Sequence, residues 1–243
     1  MEEDGPYTAV VAGATGAVGR DVIARLVASD RCKKVTALVR DETTAAARLQ
    51  STCEGRSIAA SSKLVIKAVD WESIASEEAT SETWKNLVAG HNLAFNCLGT
   101  TKNDAGSEDG FDRVDFDYCV AFAKACKSHG TTGYAHMSSD GADPTSIFHY
   151  LKIKGQADEA VGNLRWDQCV ILRPGLLARG DVSRPVEKAM IYCCTKGFPP
   201  STVAGAIVSL FESSHHEYIG GSTSVLVANE SKMRAWLRDY VMY

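Results

Sequence analysis

The stretch "VVAGATGAVGRDVIARL", residues 10–26, sets three glycines between an apolar run and an amphipathic one. Residues 7–13, YTAVVAG, read as a buried strand. From about Ala17 the positions Val18, Val22, Ile23, Leu26 and Val27 fall on one face of a helix. A strand, a tight turn and a helix open a βαβ unit. Working outward, further strands are expected at 34–40, 62–71, 93–99, 132–139, 169–175 and 224–229. Helices are expected at roughly 80–90, 111–128, 148–164 and 201–213, with a terminal helix around 233–240, while 51–61 reads as a polar loop. Strands that are near-continuous apolar runs and alternate with helices make a parallel sheet covered on both faces. No linker, repeat or low-complexity segment divides the chain. Residues 1–243 are therefore expected to be a single domain, with those after about 176 adding a small C-terminal substrate-side lobe.

The glycine spacing carries chemistry as well as fold. Gly13 permits a sharp turn off the strand, Gly16 lets the backbone approach a pyrophosphate, and Gly19 lets the helix pack closely. The helix start then offers unpaired amides and the positive end of its dipole to phosphates. In such a fold the residues closing the second strand choose the nucleotide: a carboxylate binds a ribose hydroxyl, an arginine a 2′-phosphate. Arg40 stands at that strand end and Asp41 follows it, past the strand, so NADP(H) is favoured over NAD(H). Asp70, before Trp71, either accepts from an adenine amino group or caps the next segment. In "CLGTT", 97–101, Gly99 lets the chain lie against the cofactor, with Leu98 and Thr100 beside it.

Downstream of the fifth strand come Ser138 and Ser139, then "FHYLKIKG" with Tyr150 and Lys154. Positions i and i+4 share a helix face. A free tyrosine has a pKa near ~10, and a neighbouring cation favours its phenolate. Lys154 can also hold ribose hydroxyls, and the Ser139 hydroxyl can orient a carbonyl. That set is a proton relay for hydride exchange between a nicotinamide and a small carbonyl or alcohol. A second YxxxK, Tyr192 and Lys196, follows no such strand and reads as incidental. His215–His216 with Glu217 lacks a third ligand at metal spacing, and Cys193–Cys194 reads as two ordinary thiols.

Composition narrows the class. The chain is 45% hydrophobic and 23% charged, with a net charge of −4, which argues against nucleic acid as its main partner. No apolar run is long enough to span a membrane, and the acidic opening "MEEDG" does not resemble a secretory signal. Eight cysteines without paired spacing imply a reducing compartment, read here as the cytoplasm, and no zinc site.

"GATGAVG", "LGTT", "SSDGAD", the Tyr150–Lys154 pair and "LRPGLL", in this order, resemble the extended or atypical short-chain dehydrogenase/reductases. Within them the chain is similar to the Tat-interacting protein (metastasis suppressor) oxidoreductase family, from about Thr8 to the C-terminal helix. The resemblance implies a Rossmann-like doubly wound α/β fold with NADPH along the strand ends. Carried over by motif, it implies Thr15, Gly16, Ala17 and Val18 on the pyrophosphate, Arg40 at the 2′-phosphate, and Leu98 and Gly99 along the cofactor. It also implies Tyr150 as proton donor and acceptor, Lys154 on the ribose, Leu177 at the nicotinamide end and Arg184 at a phosphate. Where family members carry an arginine pair, this chain has Val39–Arg40. Members partner transport and transcription proteins, so the resemblance also implies protein partners, a nuclear pool, and the alternative of an NADPH-gated binding module.

Overall fold

The structure is a computed structural model that describes residues 5–50, 58, 61–178, 197–212, 225–229, 231–233 and 235. Seven strands form one sheet: β1 Tyr7–Ala12, β2 Cys32–Val39, β3 Leu64–Ala68, β4 Leu93–Asn96, β5 Gly133–Met137, β6 Gln168–Arg173 and β7 Val225–Asn229. Their order is β3-β2-β1-β4-β5-β6-β7, and every pairing is parallel. The chain winds outward from β1 to β3, then crosses back to β4 and winds the other way. This is the Rossmann-like doubly wound α/β fold read from the sequence.

Side chains alternate between the two faces along each strand. Ala9 and Val11 of β1 pack into one apolar layer, and Val10 and Ala12 into the other. Helix α1, Ala17–Ala28, and helix α9, Pro200–Glu212, cover the first face through Val22, Leu26, Val203 and Ile207. Helices α4, Glu82–Val88, α7, Cys119–Ser128, and α8, His149–Gly162, cover the second through Trp84, Phe122 and Val161. Helices cover both faces, which is why the central strands are mostly apolar rather than alternating, with Thr36, Asn96 and His136 as buried polar exceptions.

Several elements depart from the sequence expectation. β3 is shorter than 62–71 because Asp70 starts helix α3, Trp71–Ile74, accepting from the Glu72 and Ser73 amides at 3.2 and 3.4 Å. Helix α2, Glu42–Gln50, was not expected, since only Ala45 and Leu49 give it a buried face. The strand expected at 93–99 ends at Asn96, leaving 97–99 as backbone along the sheet edge. Two short helices follow, α5 Lys102–Ala105 and α6 Glu108–Asp112, capped by Thr101 and Ser107. The long helix expected over 111–128 is interrupted by a π-helical stretch, Arg113–Tyr118. Most of the terminal helix expected around 233–240 lies outside the described residues.

Gly13 adopts a φ of +72°, and a Cβ there would lie 2.4 Å from the Cys97 carbonyl oxygen. A Cβ on Gly19 would lie 2.1 Å from the Gly13 oxygen, so α1 leans directly on the turn that precedes it. Gly19→Ala is expected to cost about 3 kcal/mol, the upper range for forcing volume into packed backbone, measured by urea unfolding against wild type.

Candidate functional site

In open α/β sheets, ligands bind beyond the carboxyl ends of the strands where the winding reverses. Here that point lies between β1 and β4, and a cleft of about 700 Å³ opens there. Gly16, Ala17 and Val18 line it from the start of α1, Leu98 and Gly99 from the segment after β4, and Ser139 from the end of β5. Tyr150 and Lys154 line it from α8, and Leu177 from the segment after β6. The N-terminus of α1 has no side-chain cap and no acid in its first turn. Its first amides and its dipole therefore face the cleft uncompensated, and these fit a pyrophosphate.

The other expected residues build or flank this cleft. Gly13 and Gly19 shape the turn and Thr15 lies half-exposed within it. Arg40 directly follows β2, exposed, with no carboxylate partner among the described residues. Asp41 caps α2, its Oδ1 accepting from the Thr44 amide at 2.7 Å. Asp70 is the α3 cap, so of its two sequence readings the structure displays the capping one. Thr101 lines the cleft and Thr100 does not; the Thr100 amide donates to Asp115 Oδ2 at 2.8 Å. Arg184, the Tyr192–Lys196 pair, Cys193–Cys194 and the His215–Glu217 cluster lie outside the described residues.

Beneath Tyr150 the floor of the cleft is a buried polar layer. Lys154 is only 3% exposed; its Nζ donates to Asp115 Oδ1 at 3.1 Å and to the Met137 carbonyl at 3.3 Å. Burial alone would lower the affinity of the ammonium for its proton. The Asp115 carboxylate, with Tyr150 adding to it, more than reverses that and holds the lysine above its ordinary range. One turn along α8, Asp158 accepts from Ser138 Oγ at 2.9 Å and from Arg173 Nε at 2.7 Å. Desolvation raises the Asp158 pKa, and the Ser138 and Arg173 bonds oppose the rise. The Ser138 hydroxyl is thereby committed to Asp158. Ser139, half-buried in the cleft lining, has its hydroxyl 3.4 Å from the neighbouring Asp140 carbonyl.

His136, in the interior of β5, is wholly buried between Asn96, whose Nδ2 lies 3.2 Å from Nδ1, and Asp158, 3.4 Å from Nε2. Burial first, then the positive charges of Lys154 and Arg173, push its pKa down to about 3. It is a neutral imidazole at physiological pH.

Asp115, Asp158 and His136 were not found by sequence reasoning. Asp115 lies four residues after Phe111 and three before Tyr118, on the otherwise apolar face of its helix. A carboxylate on such a face must have a buried partner, and that was the available signal. The partner, Lys154, is 39 residues away.

A family model described as NAD(P)H-binding matches residues 13–211, more than half of the chain. The chain belongs to this NAD(P)H-binding family. Protein HTATIP2 of Rattus norvegicus is 32% identical over 73% of the chain and 66% of its own length. Protein FMP52-1, mitochondrial, of Scheffersomyces stipitis is 32% identical over 70% of the chain and 67% of its own length. The chain thus spans about two thirds of the length of these relatives. Among solved structures, a short-chain type dehydrogenase/reductase from Mycobacterium ulcerans superposes with a TM-score of 0.65 at 15% identity, covering 98% of this chain and 94% of that one. That likeness is one of fold. The expectation of a cytoplasmic location does not stand, because relatives from S. stipitis, Emericella nidulans and Candida albicans are named mitochondrial. Scattered cysteines report a redox environment, and that does not distinguish one reducing compartment from another. Among the described residues no helix is long and apolar enough to cross a membrane, and no three metal-ligating side chains converge.

The buried His136 gives this NAD(P)H-binding protein a defined acid sensitivity. Above pH ~6.5, the ordinary histidine value, it is neutral in the folded and unfolded states alike. Below that, the unfolded chain takes up a proton that the folded state refuses until about pH 3, so stability falls with acid. In His136→Asn the part of the fall that begins near the histidine value is expected to be missing, as read from melting temperature against pH.

Proposed function

We propose that the chain is an NADP(H)-dependent oxidoreductase that exchanges hydride with a carbonyl/alcohol substrate, with Tyr150 as acid/base. The observation that carries this reading is that Tyr150, Lys154 and Ser139 line the same cleft as the uncapped start of α1. A phenol, an ammonium and a hydroxyl thus share a space with a phosphate-binding helix end. The nicotinamide, when bound, supplies or accepts the hydride. Tyr150, 44% exposed and on the cleft wall, gives or takes the proton at the substrate oxygen. The Lys154 ammonium beneath it stabilises the phenolate and offers a donor to a ribose hydroxyl. Ser139 Oγ donates to the substrate oxygen and orients it.

The choice of NADP(H) rests on the end of β2. Asp41 is engaged in capping α2, while Arg40 is exposed and without a carboxylate partner among the described residues, which supports its use by a 2′-phosphate. On this reading residues 1–243 form one NAD(P)-binding domain. Its substrate side begins with Leu176 and Leu177, which line the cleft.

Tyr150→Phe is expected to lower kcat for carbonyl reduction at least ~100-fold, the lower range for losing a general acid, with little change in NADPH affinity. Unchanged turnover in a panel of ketones and aldehydes would remove Tyr150 from this role. In thermal-shift titrations NADPH is expected to raise the melting temperature at lower concentration than NADH. Arg40→Ser is expected to erase that difference, and equal shifts in wild type would overturn the NADP(H) preference.

A second reading, nucleotide-gated binding of a protein partner, draws on Ile147 and Phe148, 92% and 65% exposed at the start of α8. Its test is whether NADPH changes partner affinity.

A further inference from the structure

Of the formally charged side chains that line the cleft, Asp115 and Lys154 pair with each other. Asp140 lines it too, exposed, and its carboxylate has no hydrogen-bond or ion-pair partner among the described residues. Its place is fixed by the backbone. Residues 139–142 form a turn closed by the Ala142 amide, which donates to the Ser139 carbonyl at 3.2 Å, and Gly141 takes a φ of +75° there. The Asp140 amide donates to the Pro174 carbonyl at 2.9 Å, tying the turn to the segment that leaves β6. Asp140 thus stands one residue from Ser139 on a braced turn, and consecutive Cα atoms are only about 3.8 Å apart.

The cleft is divided in charge. The start of α1 presents amides and the positive end of a dipole to it. Asp140 instead shares it with apolar side chains: Leu151 and Pro174 beside the turn, then Met137, Leu176 and Leu177. A carboxylate against apolar walls attracts a cation and repels an anion more strongly than one in open water, because the local dielectric is lower. A nucleotide phosphate at α1 adds negative charge to the cleft and does nothing to offset Asp140.

We propose that Asp140 selects the substrate by charge, favouring carbonyl or alcohol compounds that carry an ammonium group close to the reacting carbon and disfavouring carboxylates. The reaction itself rests on the function proposed above; the preference for a cation is also a binding property, readable without turnover. Hydride passes from NADPH to the carbonyl carbon and a proton from Tyr150 to its oxygen, giving the alcohol and NADP+ with the ammonium group unchanged.

Three aldehydes of similar shape test this: para-trimethylammonio-, para-tert-butyl- and para-carboxybenzaldehyde, which are cationic, neutral and anionic. In wild type, kcat/KM for the cation is expected to exceed that for the neutral isostere about tenfold, and the anion to fall below it by a similar factor, between the limits for a charge pair in water and one near a protein surface. Asp140→Asn is expected to bring the three values within about threefold of one another, and Asp140→Lys to reverse their order. Comparing ratios within one variant cancels any general loss of activity. Raising the ionic strength from about 0.02 to about 0.5 M shortens the screening length and is expected to shrink the wild-type preference about threefold. Wild-type rates that do not follow this order of charge, or a preference that survives in Asp140→Asn, would overturn the proposal. If wild type reduces none of the three, the proposed reaction fails by itself and binding decides. Calorimetry of the NADPH-saturated protein with the corresponding cationic and neutral benzyl alcohols then reads the same preference. Tighter binding of the cation in wild type but not in Asp140→Asn supports selection by charge; equal binding, or none, overturns it.

Discussion

Gly13, turning with positive φ against the Cys97 carbonyl, and Gly19, leaning on the Gly13 oxygen, bring three backbones into contact at one point. The turn after β1, the start of α1 and the segment leaving β4 all meet there. A Cβ at either glycine would stand 2.4 or 2.1 Å from a carbonyl oxygen, so a side chain at either position would force the backbones apart. Because they touch, the open end of α1 and the Leu98–Gly99 backbone face one cleft, and every candidate residue is positioned relative to that junction. Mostly apolar strand side chains on both faces let helix layers pack against each side of the sheet. Under the cleft the core carries a polar layer, separate from the buried Thr36–His91 pair at 2.9 Å.

That polar layer is costly to bury and is satisfied by pairing. Lys154 answers Asp115, and Arg173 with Ser138 answers Asp158. Losing one member of such a pair strands the other charge in low dielectric, which costs far more than the pair itself contributes. The layer therefore couples α8, β5, β6 and the π-helical stretch into one unit, and the Tyr150 phenol stands above it. The wide π turn matters here because it breaks the regular 3.6-residue phase of the helix. It carries Asp115 into the floor of the cleft while Tyr118 stays in the apolar layer.

The succession of strands and helices along the chain and the glycine junction were legible because they depend on local composition: β-branched apolar runs, helix-face spacing and glycine at positions where a Cβ has no room. The boundaries that failed share a cause. Asp70 ended β3 by capping a four-residue helix, a side-chain hydrogen bond that overrides the apolar run around it. Helix α2 was missed because a helix anchored by Ala45 and Leu49 alone shows almost no apolar periodicity. The Tyr150–Lys154 pair was legible from i, i+4 spacing on one helix. Asp115 was not, because its partner comes from a different helix.

The sequence by itself determined a parallel α/β sheet, a tight glycine turn at residues 13–19 and the place of Tyr150 and Lys154 one turn apart on one helix. Each of these depends on contacts within about one turn or one strand of chain. Only the tertiary structure decided that Lys154 is buried against Asp115, that Ser138 is taken by Asp158 and leaves Ser139 to the cleft, and that Asp41 caps a helix beside an exposed Arg40. Those outcomes depend on which charges meet after the sheet has assembled, and burial, by making unpaired charge so costly, fixes the pairing.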